Sequence, residues 1–343
     1  MNKNEPIPDK DFKVLVRCFT FNQSKYIENA LNGFSMQKTT FSYICIIVDD
    51  CSTDGEQDVI RRYLNKEFDM NSAEYYETEY AIIIKANHNS NKKCTFCVYF
   101  LKYNHYSRNE KKGKYLHEWR KCCDFEALCE GDDYWIDPNK LQDQIDILEN
   151  HSDVMLVCSD FETVDSRGNT IVRESYRKYS DISVLNSHLL QLLKDNYIMT
   201  MTCCFRSSIL DSRQYINAPY SYDYTLFLTA ALLGRIVYIT RKTSVYRFSP
   251  NGLMATARDE INLRLFAIRE YFFFEIFNHL HNYNINRKDI WKVRITAVKY
   301  GLDRGIHDKC VFLCRFLTID IISVVLVIPL FVKKVVYRIF KKK

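Results

Sequence analysis

The chain reads as an α/β protein with a mostly parallel central sheet flanked by helices. Two patterns predict this. Over the first 85 residues short apolar runs alternate with helically spaced segments, and paired carboxylates stand directly behind apolar runs. Ligands in such sheets bind beyond the carboxyl ends of the strands. At 343 residues the chain fits a large catalytic domain with an appendage, and 47% apolar residues suffice for a substantial core. The aromatic share of 14% sets it apart from a disordered chain. A net charge of +6 suits an anionic membrane surface or a phosphorylated ligand, but lacks the density of a nucleic-acid binder, so no nucleic-acid partner is expected.

The first strand is expected over residues 13–19, followed by Thr20-Phe21-Asn22-Gln23 with turn character. Ser24, Tyr26, Ile27, Ala30, Leu31 and Phe34 then have helical spacing. Residues 41–48 are rich in β-branched and aromatic side chains and predict a second strand, which stops at Asp49-Asp50. A helix over 56–64 and a third strand over 81–85 follow. Residues 87–121 are polar, basic and aromatic and match no template; they read as an inserted loop and helix, or a cover for the site. A strand over 125–129 runs into Glu130-Gly131-Asp132-Asp133-Tyr134-Trp135, and Pro138 opens a helix over 139–149. Strands over 154–158 and 235–240 bracket a helix over 225–233.

The thirteen cysteines are irregularly spaced, unlike a small secreted disulfide framework, and indicate a reducing cytosol. Cys94 and Cys97 have the spacing of a metal or redox pair, but no second pair follows; buried thiols are the default reading. Residues 1–11 carry no secretory signal. Residues 311–332 are mostly apolar, interrupted by Arg315 and Asp320, and are followed by Lys333, Lys334, Arg338 and a terminal lysine run. The uncharged part, 321–332, falls short of the about 20 residues a spanning helix needs. An in-plane helix with a basic tail on anionic lipid is preferred over a last helix packed on the catalytic domain.

Hydrophobic strands have no structural use for paired carboxylates, which point to cation chemistry. Mg2+ and Mn2+ take one or two carboxylates together with nucleotide phosphate oxygens, and neutralise a departing diphosphate. A calcium loop competes for the first acidic segment, since Asp50, Ser52, Asp54 and Gly55 fall at its early ligand positions. Its twelfth position demands a bidentate glutamate, and Arg61 stands there.

Four segments in order, LVRCFTFNQSKYIENAL, CIIVDDCSTDG, ALCEGDDYWIDPNKLQ and SYDYTLFLTAALLGRIVYI, resemble the family 2 inverting glycosyltransferases over residues 11–250. The resemblance implies the A-type glycosyltransferase fold: a catalytic domain over 1–255, with a nucleotide half over 11–150 and an acceptor half over 151–255. A helical, membrane-associating extension over 256–343 completes the chain. It implies that Thr20, Phe21 and Asn22 border the nucleotide, Phe21 standing where tyrosine is commoner, and that Asp49 reads the base. Asp132 and Asp133 match the metal motif, with Asp132 also reaching ribose. Glu130 replaces an aspartate of many relatives. Asp223 matches the catalytic base; local pattern alone makes it a helix N-cap. Arg247 resembles a position near the diphosphate, with a surface salt bridge as its alternative. Trp135 lines the sugar pocket or belongs to the core.

The resulting expectation is a metal-dependent inverting transferase that uses Mn2+ or Mg2+. It moves a sugar from a nucleotide-diphosphate donor, a UDP-sugar, to a hydroxyl of a surface-polysaccharide or lipid-linked acceptor, in the cytoplasm at the inner face of the membrane. Two alternatives stand beside it. A membrane-associated glycan-binding scaffold would keep the fold without turnover. A nucleotidyltransferase would want a glycine-rich phosphate loop after the first strand, where residues 20–24 hold no glycine.

Overall fold

The computed structural model describes residues 12–171, 187–194, 196–248 and 258–278, with Glu5, Pro6 and Pro8. The chain divides into two compact units: Met1–Ser183, Ile198–Asp211 and Leu233–Ser249 form the first, and Val184–Tyr197, Ser212–Leu232 and Pro250–Lys343 the second.

The first unit opens with β1 (Val14–Thr20), α1 (Ile27–Ser35), β2 (Tyr43–Asp49) and α2 (Glu56–Glu67), all at the places their periodicity predicts. Next come β3 (Glu74–Glu77), β4 (Ala81–Asn87), β5 (Cys94–Leu101) and the short α3 (His117–Arg120). β6 (Phe125–Leu128), β7 (Tyr134–Trp135), α4 (Lys140–Asn150) and β8 (Val154–Val164) follow. The second unit then contributes α5 (Ser187–Lys194), the first unit β9 (Cys204–Arg206), and the second α6 (Arg213–Ile216) and α7 (Asp223–Leu233). β10 (Arg235–Arg247) returns to the first unit, and α8 (Arg258–Asn278) belongs to the second.

Among the described residues the strands form one sheet in the order β3-β4-β5-β2-β1-β6-β9-β8-β10-β7. β5, β2, β1 and β6 run parallel, as do β8 and β10. β3, β4, β7 and β9 pair antiparallel with their neighbours, so the sheet is mixed rather than mostly parallel. The reason lies in the connections. β4 reaches β5 through residues 88–93, too few for the crossover that a parallel pair requires, and the chain simply folds back.

β5 is the element the sequence concealed, inside the unplaced stretch 87–121. All eight of its residues, CTFCVYFL, are buried. A strand covered on both faces shows no alternation, so the period-2 signal is missing. Its placement also decides the cysteine pair: Cys94 packs with Phe34 and Phe96 on one face, Cys97 with Ile83 and Tyr99 on the other. Residues three apart on a strand point oppositely, and these two thiols share no ligand site.

One face of the sheet is covered by α1, α2 and α4 through Leu31, Phe34, Ile60 and Leu141; the other is packed by Phe12, Leu116 and Trp119. α1 approaches β7 closely at Gly33, where a Cβ would lie 2.9 Å from both the backbone N and O of Trp135. That contact ties the helix after the first loop to the strand after the acidic tract.

In the second unit α7 is buried from Tyr224 to Leu232. The Tyr224 hydroxyl donates to the Leu192 carbonyl at 2.8 Å and accepts from Arg269 Nε at 3.2 Å, joining α5, α7 and α8. No described helix is long and apolar enough to cross a membrane. The apolar and basic segment at 311–343 lies outside the described residues.

Candidate functional site

The parallel strands β2, β1 and β6 end side by side, and the acidic residues sit at those ends. Register places Thr20 opposite Asp49 and Arg17 opposite Leu128, so the tract at 130–133 emerges beside the loop that follows Thr20. Gly131 makes this closeness possible. A Cβ there would lie 2.1 Å from Thr20 Oγ1 and 2.7 Å from Thr20 Cβ, distances no side chain tolerates.

Asp49 is fully buried. Its Oδ2 accepts from Gln57 Nε2 at 2.5 Å and from the Ser52 N–H at 3.2 Å, while Oδ1 is buried with no partner. Burial pushes its carboxyl above the usual range. A buried carboxylate oxygen left open costs free energy unless a ligand donor completes it. The loop after β1 presents Phe21, a residue 43% exposed, whose aromatic ring is a surface for stacking. Asn22 and Cys51 both adopt left-handed backbone, at φ 55° and 61°. Asn22 locks the two loops together: its N–H donates to Ser52 Oγ at 2.9 Å, and its Oδ1 accepts from the Thr53 N–H at 2.8 Å.

Asp133 is 6% exposed and accepts the Arg247 N–H at 2.8 Å through Oδ1. Burial, followed by the neighbouring Asp132 charge, pushes its carboxyl well up; burial raises that of Asp132 as well, against the Arg247 charge. Arg247 ends β10. Its Nε donates to the Asp132 carbonyl at 3.1 Å, and its guanidinium lies 4.3 Å from the Tyr26 ring. Arg247 is thus a buried cation held against the aspartates, not half of a surface salt bridge.

Glu130 turns back onto β1: Oε2 accepts the Phe19 N–H at 3.1 Å and Oε1 meets Arg17 at 3.3 Å. Its contacts bind the two strand ends together. Trp135 is a core residue, 2% exposed, with Nε1 donating to the Met201 carbonyl at 2.9 Å and its ring against Phe34. Asp50, the first residue of the calcium-loop reading, spends both oxygens elsewhere, accepting from the His105 N–H at 2.6 Å, the Tyr106 N–H at 3.2 Å and Lys112 Nζ at 2.8 Å. It anchors the loop after β5.

The first unit therefore gathers Thr20, Phe21, Asn22, Asp49, Asp132, Asp133 and Arg247 on neighbouring strand ends and loops. Asp223 belongs to the second unit, where it opens α7 one residue after Tyr222, whose carbonyl accepts the Leu226 N–H at 3.2 Å. Asp223 is thus the first helical residue and Tyr222 the cap, within the one-residue latitude of helix ends. A carboxylate there stands in the field of the helix N-terminus.

Glu56 escaped the sequence reading. It is fully buried at the start of α2 and accepts from Thr20 Oγ1, from the Gln23 N–H at 2.7 Å and from Ser52 Oγ at 2.9 Å. Its position just after Gly55, where a glutamate reads as a solvated first-turn residue, hid it; two of its three partners, Thr20 and Gln23, lie far away in sequence.

Among the described residues no group of three or more His, Cys, Asp or Glu side chains is arranged to hold a metal. The pair Asp132–Asp133 fits an ion of the magnesium or manganese kind that completes its shell from phosphate oxygens and water. Two neighbouring carboxylates with raised pKa values are also the donor set that a divalent cation relieves.

No protein-family profile matches the chain. Uncharacterized proteins of Mycobacterium bovis and Mycobacterium tuberculosis are 28% identical over 244 residues, covering 69% of this chain and 59% of theirs. The chain thus spans about three-fifths of these relatives' length. Among solved structures, S. aureus TarS 1–349 in complex with UDP aligns with TM-score 0.50 and 18% identity, over 83% of this chain and 70% of that one. The same protein in complex with UDP-GlcNAc aligns with TM-score 0.51 and 16% identity, over 83% and 71%. At these identities the likeness is one of fold alone: a mixed α/β sheet with flanking helices.

Proposed function

We propose that this chain is an inverting glycosyltransferase of the family 2 kind, taking a sugar from a UDP-sugar with Mn2+ or Mg2+. The observation that carries the reading is the convergence, on adjoining strand ends of this fold, of an open buried carboxylate oxygen at Asp49, the paired Asp132 and Asp133, and the buried cation Arg247. A fold shared with a protein that binds UDP and UDP-GlcNAc supports it.

In this reading the uracil stacks near Phe21 and donates N3–H to Asp49 Oδ1, completing the oxygen that the protein leaves unpaired. Asp132 and Asp133 hold the divalent ion, which when bound offsets the charge of the diphosphate leaving group. Arg247 donates to phosphate oxygens from the same side. Asp223 takes the proton of the acceptor hydroxyl as its oxygen bonds to the anomeric carbon and the bond from that carbon to the diphosphate breaks, with inversion. The acceptor is a surface-polysaccharide or lipid-linked glycan at the inner face of the membrane.

The test is hydrolysis of UDP-sugars by the purified chain with and without manganese, repeated with Asp133→Ala. Manganese-dependent UDP release that falls by about a hundredfold in the variant supports the reading. Equal turnover by Asp133→Ala removes the metal assignment, and UDP binding without any turnover favours the glycan-binding scaffold.

A further inference from the structure

We infer that Glu56 is a positioning residue for the donor nucleotide, a buried carboxylate that makes the loops after β1 and β2 one preassembled surface. The inference rests on the donor-site reading above and assigns that site a residue outside its contact set. Glu56 is fully buried, yet its carboxylate bonds reach the two loops and β1 itself. Oε1 accepts from Thr20 Oγ1 at the tip of β1. Oε2 accepts both the Gln23 N–H, next to left-handed Asn22, and Ser52 Oγ, which in turn accepts the Asn22 N–H. Ser52 also donates its N–H to Asp49, so a chain of hydrogen bonds runs from Glu56 to the carboxylate assigned to the base.

Thr20 links this chain to the acidic tract, since its hydroxyl is the atom that Gly131 must clear. Glu56 therefore fixes three things at once: the backbone under Phe21 and Asn22, the loop that orients Asp49, and the rotamer of Thr20 against Gly131. Ligand affinity depends on such pre-organisation, because loops ordered only on binding subtract their ordering entropy from the contacts they make.

The experiment is calorimetric titration of UDP in excess manganese chloride into the full chain and the variants Glu56→Ala, Glu56→Asp, Glu56→Gln and Gln37→Ala. Hydrogen exchange at residues 22–24 and 52–54 is followed in each unliganded protein. Gln37 is the control for stability: it is 1% exposed, bonds the Gly33 and Asp137 carbonyls and the Leu141 N–H, and lies at the far end of α1. Glu56→Ala and Glu56→Asp are expected to weaken UDP binding by about tenfold or more and speed exchange at both loops, because buried donors lose a charged acceptor. Glu56→Gln is expected to bind as the wild type does: its carbonyl can replace Oε2, and its amide can donate to a rotated Thr20 hydroxyl. Gln37→Ala is expected to lower the unfolding midpoint and leave UDP affinity unchanged.

Wild-type affinity in Glu56→Asp and Glu56→Ala, while the wild-type chain binds UDP, overturns the inference and leaves the donor reading standing. So does an equal loss of affinity in Gln37→Ala. Absence of UDP binding by the wild-type chain overturns the donor reading and this inference together.

Discussion

Replacing Gly131 by alanine places one methyl group where the two halves of the candidate donor site touch. The added Cβ would lie 2.1 Å from Thr20 Oγ1, 2.7 Å from Thr20 Cβ and 3.2 Å from Ile27 Cδ1, where non-bonded carbons rest at about 3.5–4.0 Å. Thr20 cannot simply rotate away, because its hydroxyl is held by Glu56. Either that hydrogen bond breaks or the tract at 130–133 moves outward by about an ångström. Overpacking of this kind costs about 1–3 kcal/mol, and a lost buried hydrogen bond about 1 kcal/mol more, for a total of roughly 2–4 kcal/mol. Urea unfolding measures the stability, and manganese-dependent UDP binding reports on the tract. We expect both to fall, and we expect Thr20→Gly to recover part of the loss in the double variant, with a coupling energy of about 1 kcal/mol or more. A stability change below about 0.5 kcal/mol with UDP affinity intact would refute the claim that this contact spaces the acidic tract.

Two further outcomes follow from buried charges. Lys140 is fully buried over the Trp135 ring, 4.4 Å away, with Nζ donating to Gln144 at 2.7 Å; burial pushes its pKa down to about 8. The unfolded chain then binds more protons than the folded one between pH 8 and the ordinary lysine value, so this group's penalty is full below pH 8 and relieved as pH rises through that window. Lys140→Met should be more stable than the wild type at pH 7 by up to about 3 kcal/mol, with the difference shrinking by pH 10. Taking the difference in urea unfolding between the two proteins cancels the buried thiols and phenols that titrate above pH 9. A gap independent of pH would show that burial leaves the Lys140 pKa where it is in the unfolded chain. Asp50→Ala strands Lys112 and two backbone N–H groups around His105. It should destabilise the chain by about 3–5 kcal/mol and raise hydrogen exchange at residues 104–112 before other parts of the sheet. Unchanged exchange there would show that the loop is held by other means.

Much of the architecture was legible because each element kept its own period. β1, α1, β2, α2, β6 and α4 lie within a few residues of where apolar spacing put them, since each has one polar face or a polar loop to interrupt it. β5 was not legible: buried on both faces, its eight residues look like any apolar run. β7 and β9 span two and three residues, too few to carry a period at all.

The site divides the same way. That carboxylates follow strands is a statement about order along the chain, and the acidic segments at 49–50 and 130–133 could be named from it. Which of the acidic residues is spent on structure depends on partners far away in sequence. Asp50 meets the loop after β5, Glu130 turns back to Arg17 and the Phe19 N–H, and Glu56 reaches Thr20, Gln23 and Ser52. Arg247 likewise became a cation beside the aspartates only when β10 paired with β7 and brought positions 247 and 133 together. Hydrogen-bond capacity is local to a residue and written in its type, whereas the partner that consumes it is chosen by the register of the sheet.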